Sequence, residues 1–379
     1  MQEYERLSVS AAPDSHRALT RLIHAAIARH GGWLPFDRFM ALALYAPGLG
    51  YYASAGRKFG TLPQTGSDFV TAPELSPLFG RALARQGEQA LRARGTHEVW
   101  AVGAGSGALA AQLLETLGQG RDAAVRRYTI VDLSGTLRER QRERLAPHGD
   151  TVRWVDALPD AMAGVIVGNE VLDAMPVQLL HFDGAQWLER GVVVGADHFA
   201  WSDRPTALRP PFDGPFAPGT ITEVHPQAEA FIATLAERLT HGAAFFIDYG
   251  FPEAEYYHPQ RTGGTLMCHR AHRADADPLA DVGAKDITAH VNFSAIALAA
   301  QNAGLEVRGY TTQAHFLINC GVLDLLQGAD LQTIANAQKL LTEHEMGELF
   351  KVIGFATGCE AAFATAPLGF ARGDRTHTL

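Results

Sequence analysis

Gly103, Gly105 and Gly107 fall at alternate positions of VWAVGAGSGALAAQLL (residues 99–114), where a β-type run passes directly into a helix-forming one. Glycines so placed let a chain turn sharply and bring backbone N–H groups close to a ligand at a helix start. Gly103, Ala104, Gly105 and Gly107 therefore read as the cradle of a nucleotide-like cofactor. The spacing Gly103-x-Gly105-x-x-Ala108 fits the relaxed dinucleotide fingerprint, while Gly103-x-Gly105-x-Gly107 suits S-adenosylmethionine. The loop alone leaves both open.

The acids downstream narrow the choice. The next β-type run, YTIV, ends in Asp132-Leu133, and a carboxylate there can accept both hydroxyls of a ribose. Asp132 follows Gly103 by 29 positions, more than the roughly 20 of a dinucleotide fold. A third run ends in Asp156-Ala157, where an acid and a backbone N–H can hold an adenine amine. The fourth, VIVG, runs into Asn169-Glu170-Val171-Leu172-Asp173. A nicotinamide enzyme has no particular use for this cluster, but a methyltransferase has. Methyl transfer from a sulfonium asks the protein to align a nucleophile, desolvate it and manage its proton. Two carboxylates three positions apart can grip a guanidinium fork and orient one nitrogen. Asn169, Glu170 and Asp173 are thus candidate catalytic residues, and Glu223 in TEVHP adds a further carboxylate. Asp248 and Tyr249 in IDYG could present an acid and a phenol to the same cleft. Each acid could instead cap a helix or close a turn.

These residues need a scaffold that brings strand ends together. Strands at 98–102, 127–132, 152–155, 163–167 and 243–249 alternate with helices at 108–117, 137–145 and 227–239. That alternation predicts an α/β fold with a doubly wound, mostly parallel sheet of Rossmann type. Ligands of such sheets sit at the carboxyl ends of strands, where the acids fall. Residues 1–95 read as an N-terminal helical cap that includes a cofactor-covering segment. Residues 96–357 read as the core, with insertions at about 177–222 and 255–292, and 358–379 as a tail. Residues 177–201 suggest a meander of antiparallel strands, and 262–291 a loop or hairpin insertion. Residues 321–350 read as mostly helical, before a last strand at 349–356.

Composition excludes other classes. A net charge of −9 speaks against broad nucleic-acid binding, which needs a basic surface. No apolar run approaches the roughly 18 residues of a membrane span. Cys268, Cys320 and Cys359 form no CxxC pair, which fits a reducing compartment. With no signal or transit segment evident, the expected location is cytoplasmic. Cys268-His269-Arg270-Ala271-His272 lacks the second ligand pair of a structural zinc site, so no metal is expected. His272 or His290 could serve as a cleft base.

In order along the chain, GYY (50–52), GSDFVTAPELSPLFG (66–80), VGAGSG, VGNEVLDAMPV (167–177), IDYG, TGGTL, DITAHVNF (286–293) and QAHFL resemble the MidA family of methyltransferases. The resemblance covers about residues 30–357. It implies a class I fold dependent on S-adenosyl-L-methionine, with S-adenosyl-L-homocysteine as product. Its mitochondrial members resemble protein arginine methyltransferases that assist respiratory complex I assembly. It thus implies a protein substrate such as a respiratory-complex subunit. It also places Phe69 and Thr71 over the cofactor, and Asn169 beside both cofactor and transfer site. One position departs from the family: Ala101 stands two residues before the first loop glycine, where the family carries Glu. That departure supports an alternative expectation, an assembly factor that keeps the fold with weak or no catalysis.

Overall fold

The computed structural model describes residues 2–54, 70–118, 123–132, 135–196, 198–357 and 367–379; the side chains of residues 2–14 and 136 are outside the description. Seven strands form the central sheet: β1 Glu98–Val102, β2 Arg127–Val131, β3 Val152–Val155, β4 Met162–Asn169, β5 Leu239–Phe251, β6 Leu305–Thr312 and β7 Phe350–Thr357. Their spatial order is β6-β7-β5-β4-β1-β2-β3, with the two-residue strand Val291–Asn292 also paired to β5. β7 runs antiparallel to both its neighbours, while β5, β4, β1, β2 and β3 are mutually parallel. This is the order and handing of a class I methyltransferase sheet. The chain reverses between β1 and β4, and a ligand crevice opens at such a switch point.

Period-two alternation in β1 explains the layers. Val99 and Ala101 join a cluster with Leu113, Val165 and Phe245 on one face. Trp100 and Val102 join Ile166, Ile232 and Phe246 on the other. A strand buried on both faces carries no polar alternation, hence the apolar AAFFI of β5. The helix Pro77–Arg94 also packs on the first face, through Leu78, Phe79, Ala82 and Leu83. It begins where Ser76 Oγ accepts the N–H of Leu78, and ends at left-handed Gly95.

The helices Gln2–Arg29 and Phe36–Tyr45 have a separate apolar core. Leu19, Ile23, Phe36 and Phe39 pack with Val177, Leu179, Val192 and Phe199 of an antiparallel sheet. That sheet contains Leu34–Pro35, Gln178–Phe182, Trp187–Val194, Phe199–Pro205 and Ile221–Val224. Of the two expectations for the insertion at 262–291, loop or hairpin, the hairpin is the one observed. Met267–Arg270, Arg273–Asp275 and Asp286–Thr288 form a three-stranded antiparallel sheet, and its Ile287 and Cys268 join the same core. Among the described residues no helix is long and apolar enough to cross a membrane.

Candidate active site

A cavity of about 1080 Å³ opens at the carboxyl ends of β1, β2, β4 and β5. Small-molecule sites span roughly 300–1000 Å³, so the space exceeds what one small ligand fills. Its wall includes Gly103, Ala104, Gly105 and Asp132 on one side, and Asn169, Glu170 and Asp173 on the other.

The glycine turn is shaped as its sequence requires. Gly103, Gly105 and Gly107 all hold positive φ, at 64°, 52° and 84°. A Cβ on Gly103 would lie 2.7 Å from Val171 Cγ2, so bare backbone here is a steric requirement. Gly107 stands behind the wall, at the start of the helix Ala108–Leu117 and against Gln141. Gln141 Nε2 donates to Gly105 O at 2.9 Å and to Asp132 Oδ2 at 2.8 Å, while its Oε1 accepts the Trp154 indole N–H at 2.9 Å. One buried amide thus locks the loop to the acid after β2. Arg138 ties the ends of β2 and β3 together through the carbonyls of Asp132 and Val155. At the same turn, Ser106 Oγ donates to Glu74, which Arg144 also grips at 2.7 Å.

The second half of the wall is built by the turn after β4. Three backbone N–H groups, from Val171, Leu172 and Asp173, converge on Asp248 Oδ2 at 3.1, 2.9 and 3.3 Å. Asp248 therefore shapes this turn from β5, while its neighbour Tyr249 reaches the cavity and donates a short hydrogen bond to Asp173 Oδ2. Glu170 is held left-handed, with φ at 53°. That conformation costs a residue with a Cβ roughly 1–2 kcal/mol. Its N–H bonds Ile247 O at 2.9 Å, and Asn169 Nδ2 donates to its Oε1 at 3.0 Å. Burial, and then the charge of Asp173, push the Glu170 carboxyl up to about 8. Burial likewise raises Asp173. Asn169 Oδ1 and Asp173 Oδ1 are buried with no hydrogen-bond partner among the described residues. Two orphaned acceptors in one wall call for a ligand rich in donors.

The N-terminal region and the small three-stranded sheet complete the wall. Tyr45 Oη donates to Ala174 O at 2.7 Å, and Tyr52 Oη to Asp286 Oδ2 at 2.8 Å, with the two rings stacked at 5.6 Å. His290 lines the cavity between Tyr249 and Phe251; burial, then Arg261, push it down to about 4, so it is neutral near pH 7.

Other candidates fall elsewhere. Thr71 lines the cavity, but Phe69 and Leu133 lie outside the described residues. Asp156 extends outward and pairs with Arg138 at 2.7 Å, and neither it nor Ala157 is in the cavity wall. Glu223 is fully buried away from the wall. Its Oε1 accepts the N–H groups of Thr265 and Leu266 at 2.8 and 3.0 Å, and its Oε2 accepts Tyr256 Oη at 2.9 Å. In this setting it pins the antiparallel sheet to the TGGTL segment. Glu223→Ala would strand the buried N–H of Thr265 and the half-buried N–H of Leu266, the first at roughly 1–3 kcal/mol. The expected result is a melting temperature lower by several degrees, with the affinity for S-adenosylhomocysteine of the folded fraction retained. A selective loss of turnover at unchanged melting temperature would restore Glu223 to the chemistry. The His269/His272 stretch forms a hairpin, and among the described residues no group of three His, Cys, Asp or Glu is placed to hold a metal.

Comparison with known proteins names the class of reaction. Residues 79–311 match the model of a family described as S-adenosyl-L-methionine-dependent methyltransferase. The chain belongs to this family. A COG1565 superfamily member from Burkholderia thailandensis, solved with S-adenosyl-homocysteine bound, is 50% identical, with a TM-score of 0.92 over 97% of this chain and 98% of that one. Among curated relatives, the mitochondrial protein arginine methyltransferase NDUFAF7 homolog of Drosophila melanogaster is 25% identical over 93% of this chain and 88% of its own length. Mouse NDUFAF7, named in the same way, is 28% identical over 84% and 80%. The MidA resemblance and the class I fold both hold, and the chain is an S-adenosylmethionine-dependent methyltransferase. Its cavity fits that cofactor: bare glycine backbone and an oriented acid after β2 line part of it, and the carboxylates of Glu170 and Asp173 line another part.

Gln141, Tyr45, Tyr52, Asp286 and Glu74 escape a reading by motif. Tyr52, Asp286 and Glu74 lie inside segments that carry the family resemblance, which is the one signal that could have flagged them.

Proposed function

We propose that this methyltransferase modifies an arginine side chain of a protein. The observation that carries the reading is the pair of orphaned acceptors, Asn169 Oδ1 and Asp173 Oδ1, beside the half-buried carboxyl of Glu170. A guanidinium brings five N–H donors in a planar fork and a charge that titration cannot remove. Such a guest would satisfy both acceptors, and its charge would offset the burial and the repulsion that raise Glu170. The names of the curated relatives point the same way.

The bound cofactor supplies an electrophilic methyl group on a sulfonium. This chain's residues would do the remaining work. Asp132, fixed by Gln141, holds ribose hydroxyls, and Gly103, Ala104 and Gly105 offer close backbone, with Thr71 at the rim. Phe69 is proposed to cover the cofactor and Leu133 to flank the ribose. Asn169, Glu170 and Asp173 orient the guanidinium, and Tyr249 fixes the Asp173 carboxylate for that purpose. The methylated nitrogen must lose one proton, and Glu170, ionised by contact with the cation, is the proposed acceptor.

Tritiated S-adenosylmethionine, incubated with the pure chain and a lysate from cells that lack it, tests this reading. The expected result is a labelled protein whose acid hydrolysate carries the label in methylarginine; a respiratory-complex subunit is the first protein to inspect. Label in another amino acid would overturn the arginine assignment. Ala101 favours a second reading, an assembly factor without catalysis. Its methyl group sits in apolar surroundings where the family carries an acid. Binding of S-adenosylhomocysteine with no labelled protein at any cofactor concentration would select it.

A further inference from the structure

The small sheet at 267–288 has one buried and one open edge. Asp286–Thr288 flanks the central strand Met267–Arg270 on the buried side; Arg273, Ala274 and Asp275 flank it on the other and are all exposed. Among the described residues no strand pairs with the outer edge of 273–275. Its pairing register assigns its faces. His269 lies opposite Ala274 and also opposite Asp286, and these three, with Met267 two residues away, all line the cavity. One face of the sheet is therefore a wall of the active site.

The register also assigns the backbone. Arg270 and Arg273 close a two-residue turn, so they form a hydrogen-bonded pair. Alternation makes the next pair, His269 and Ala274, a non-hydrogen-bonded one. The N–H and C=O of Ala274 thus point away from the central strand, toward the open edge. The turn itself is built at a cost. Ala271 and His272 hold φ of 49° and 58°. That is the left-handed pair of a type I′ turn, which Asn and Gly ordinarily occupy. Strain kept beside an active site marks a geometry with a use.

We propose that the protein substrate docks as an extended segment along the outer edge of 273–275, adding a fourth strand, with the residue to be methylated opposite Ala274. Side chains directly opposite each other in a sheet share a face, at roughly 4.5–5.5 Å. The residue paired with Ala274 therefore puts its side chain on the face of the sheet that lines the cavity, which Glu170 and Asp173 also line, while its two neighbours face away. Main-chain hydrogen bonds supply affinity and the cavity supplies specificity, as in other strand additions. The substrate class follows: an arginine in a loop, terminus or unfolded stretch that can become extended. An arginine within a helix is excluded. This docking mode rests on the arginine reading for the residue methylated, but the edge itself does not depend on it.

Ala274→Pro tests the edge. Proline removes the outward N–H, leaves the ladder bonds of the hairpin intact, and is tolerated at sheet edges. With the protein that the wild-type chain labels as substrate, KM is expected to rise at least tenfold while kcat stays within about twofold. The thermal shift with S-adenosylhomocysteine reports whether the variant is folded and loaded. Ala274→Ser restores the N–H and is expected to regain most of the lost affinity. An unchanged KM in Ala274→Pro would overturn the proposal, as would equal damage by Ala274→Ser, which would make the loss one of cavity space. Label on a residue other than arginine, with KM still sensitive to Ala274→Pro, would overturn the arginine reading alone. Absence of any label with wild-type chain would remove both.

Discussion

Glu170→Gln is expected to lower the rate of methyl transfer by about two to three orders of magnitude and to raise the melting temperature. The rate loss follows from removing one preorganised charge at the reacting centre, worth roughly 3–4 kcal/mol. The stability gain follows from titration. The Glu170 carboxyl moves from 4.5 to about 8 on folding. Between those values the folded chain binds more protons than the unfolded one, so wild-type stability falls as pH rises through that window. At pH 7 the cost reaches about 3 kcal/mol by linkage. Glutamine keeps the shape and the left-handed backbone but cannot ionise, so the comparison isolates charge. The gap between variant and wild type should widen from pH 5 to pH 8 in thermal melts without ligand. Over the same range wild-type turnover should rise as Glu170 becomes available to grip a cation. A gap that stays flat with pH, or turnover within threefold of wild type, would remove Glu170 from the role assigned to it.

Asp132→Asn should weaken S-adenosylhomocysteine by about 100-fold, read by calorimetry. Hydrogen bonds to a charged acceptor are worth roughly 1.5–3 kcal/mol, against about 1 for a neutral one, and two ribose hydroxyls are at stake. The amide also turns a donor toward Gln141 Nε2, which now donates to Asp132 Oδ2 at 2.8 Å and to Gly105 O. The loop and the ribose grip should loosen together. Gln141→Leu should then reproduce part of the loss without touching the acid. Affinity within threefold of wild type in Asp132→Asn would place the ribose elsewhere.

Much of this site is legible in one dimension because its parts are local. A strand, a turn needing positive φ and a helix must follow each other within 98–117, so alternate glycines disclose a cradle on sight. The NEVLDAMPV turn likewise packs three polar groups into five positions, and they reach the same wall because β4 ends there. The acids after strands proved less informative. Asp132 and Asp248 both read as acids at the end of a strand, yet Asp248 lies within β5, where three N–H groups turn it into its own fold, while Gln141 presents Asp132 to the cavity. Glu223 reads as a carboxylate near a cleft, but Thr265 and Leu266, over forty positions downstream, claim it.

By itself the sequence pointed to the class of this protein: an α/β fold with a doubly wound, mostly parallel sheet, a glycine-rich turn from a strand into a helix, acids after the strands, and dependence on S-adenosylmethionine. Each depends on residue type within one element or one turn. Only the tertiary structure decided which acids share a wall, that Tyr45 and Tyr52 come from the N-terminal region to close it, and that a strained hairpin leaves an open strand edge at its rim. Those facts depend on contacts between segments as far apart in sequence as Tyr52 and Asp286, which are 234 positions from each other. Side-chain pairing at such range is set by packing of whole layers, which no local spacing records.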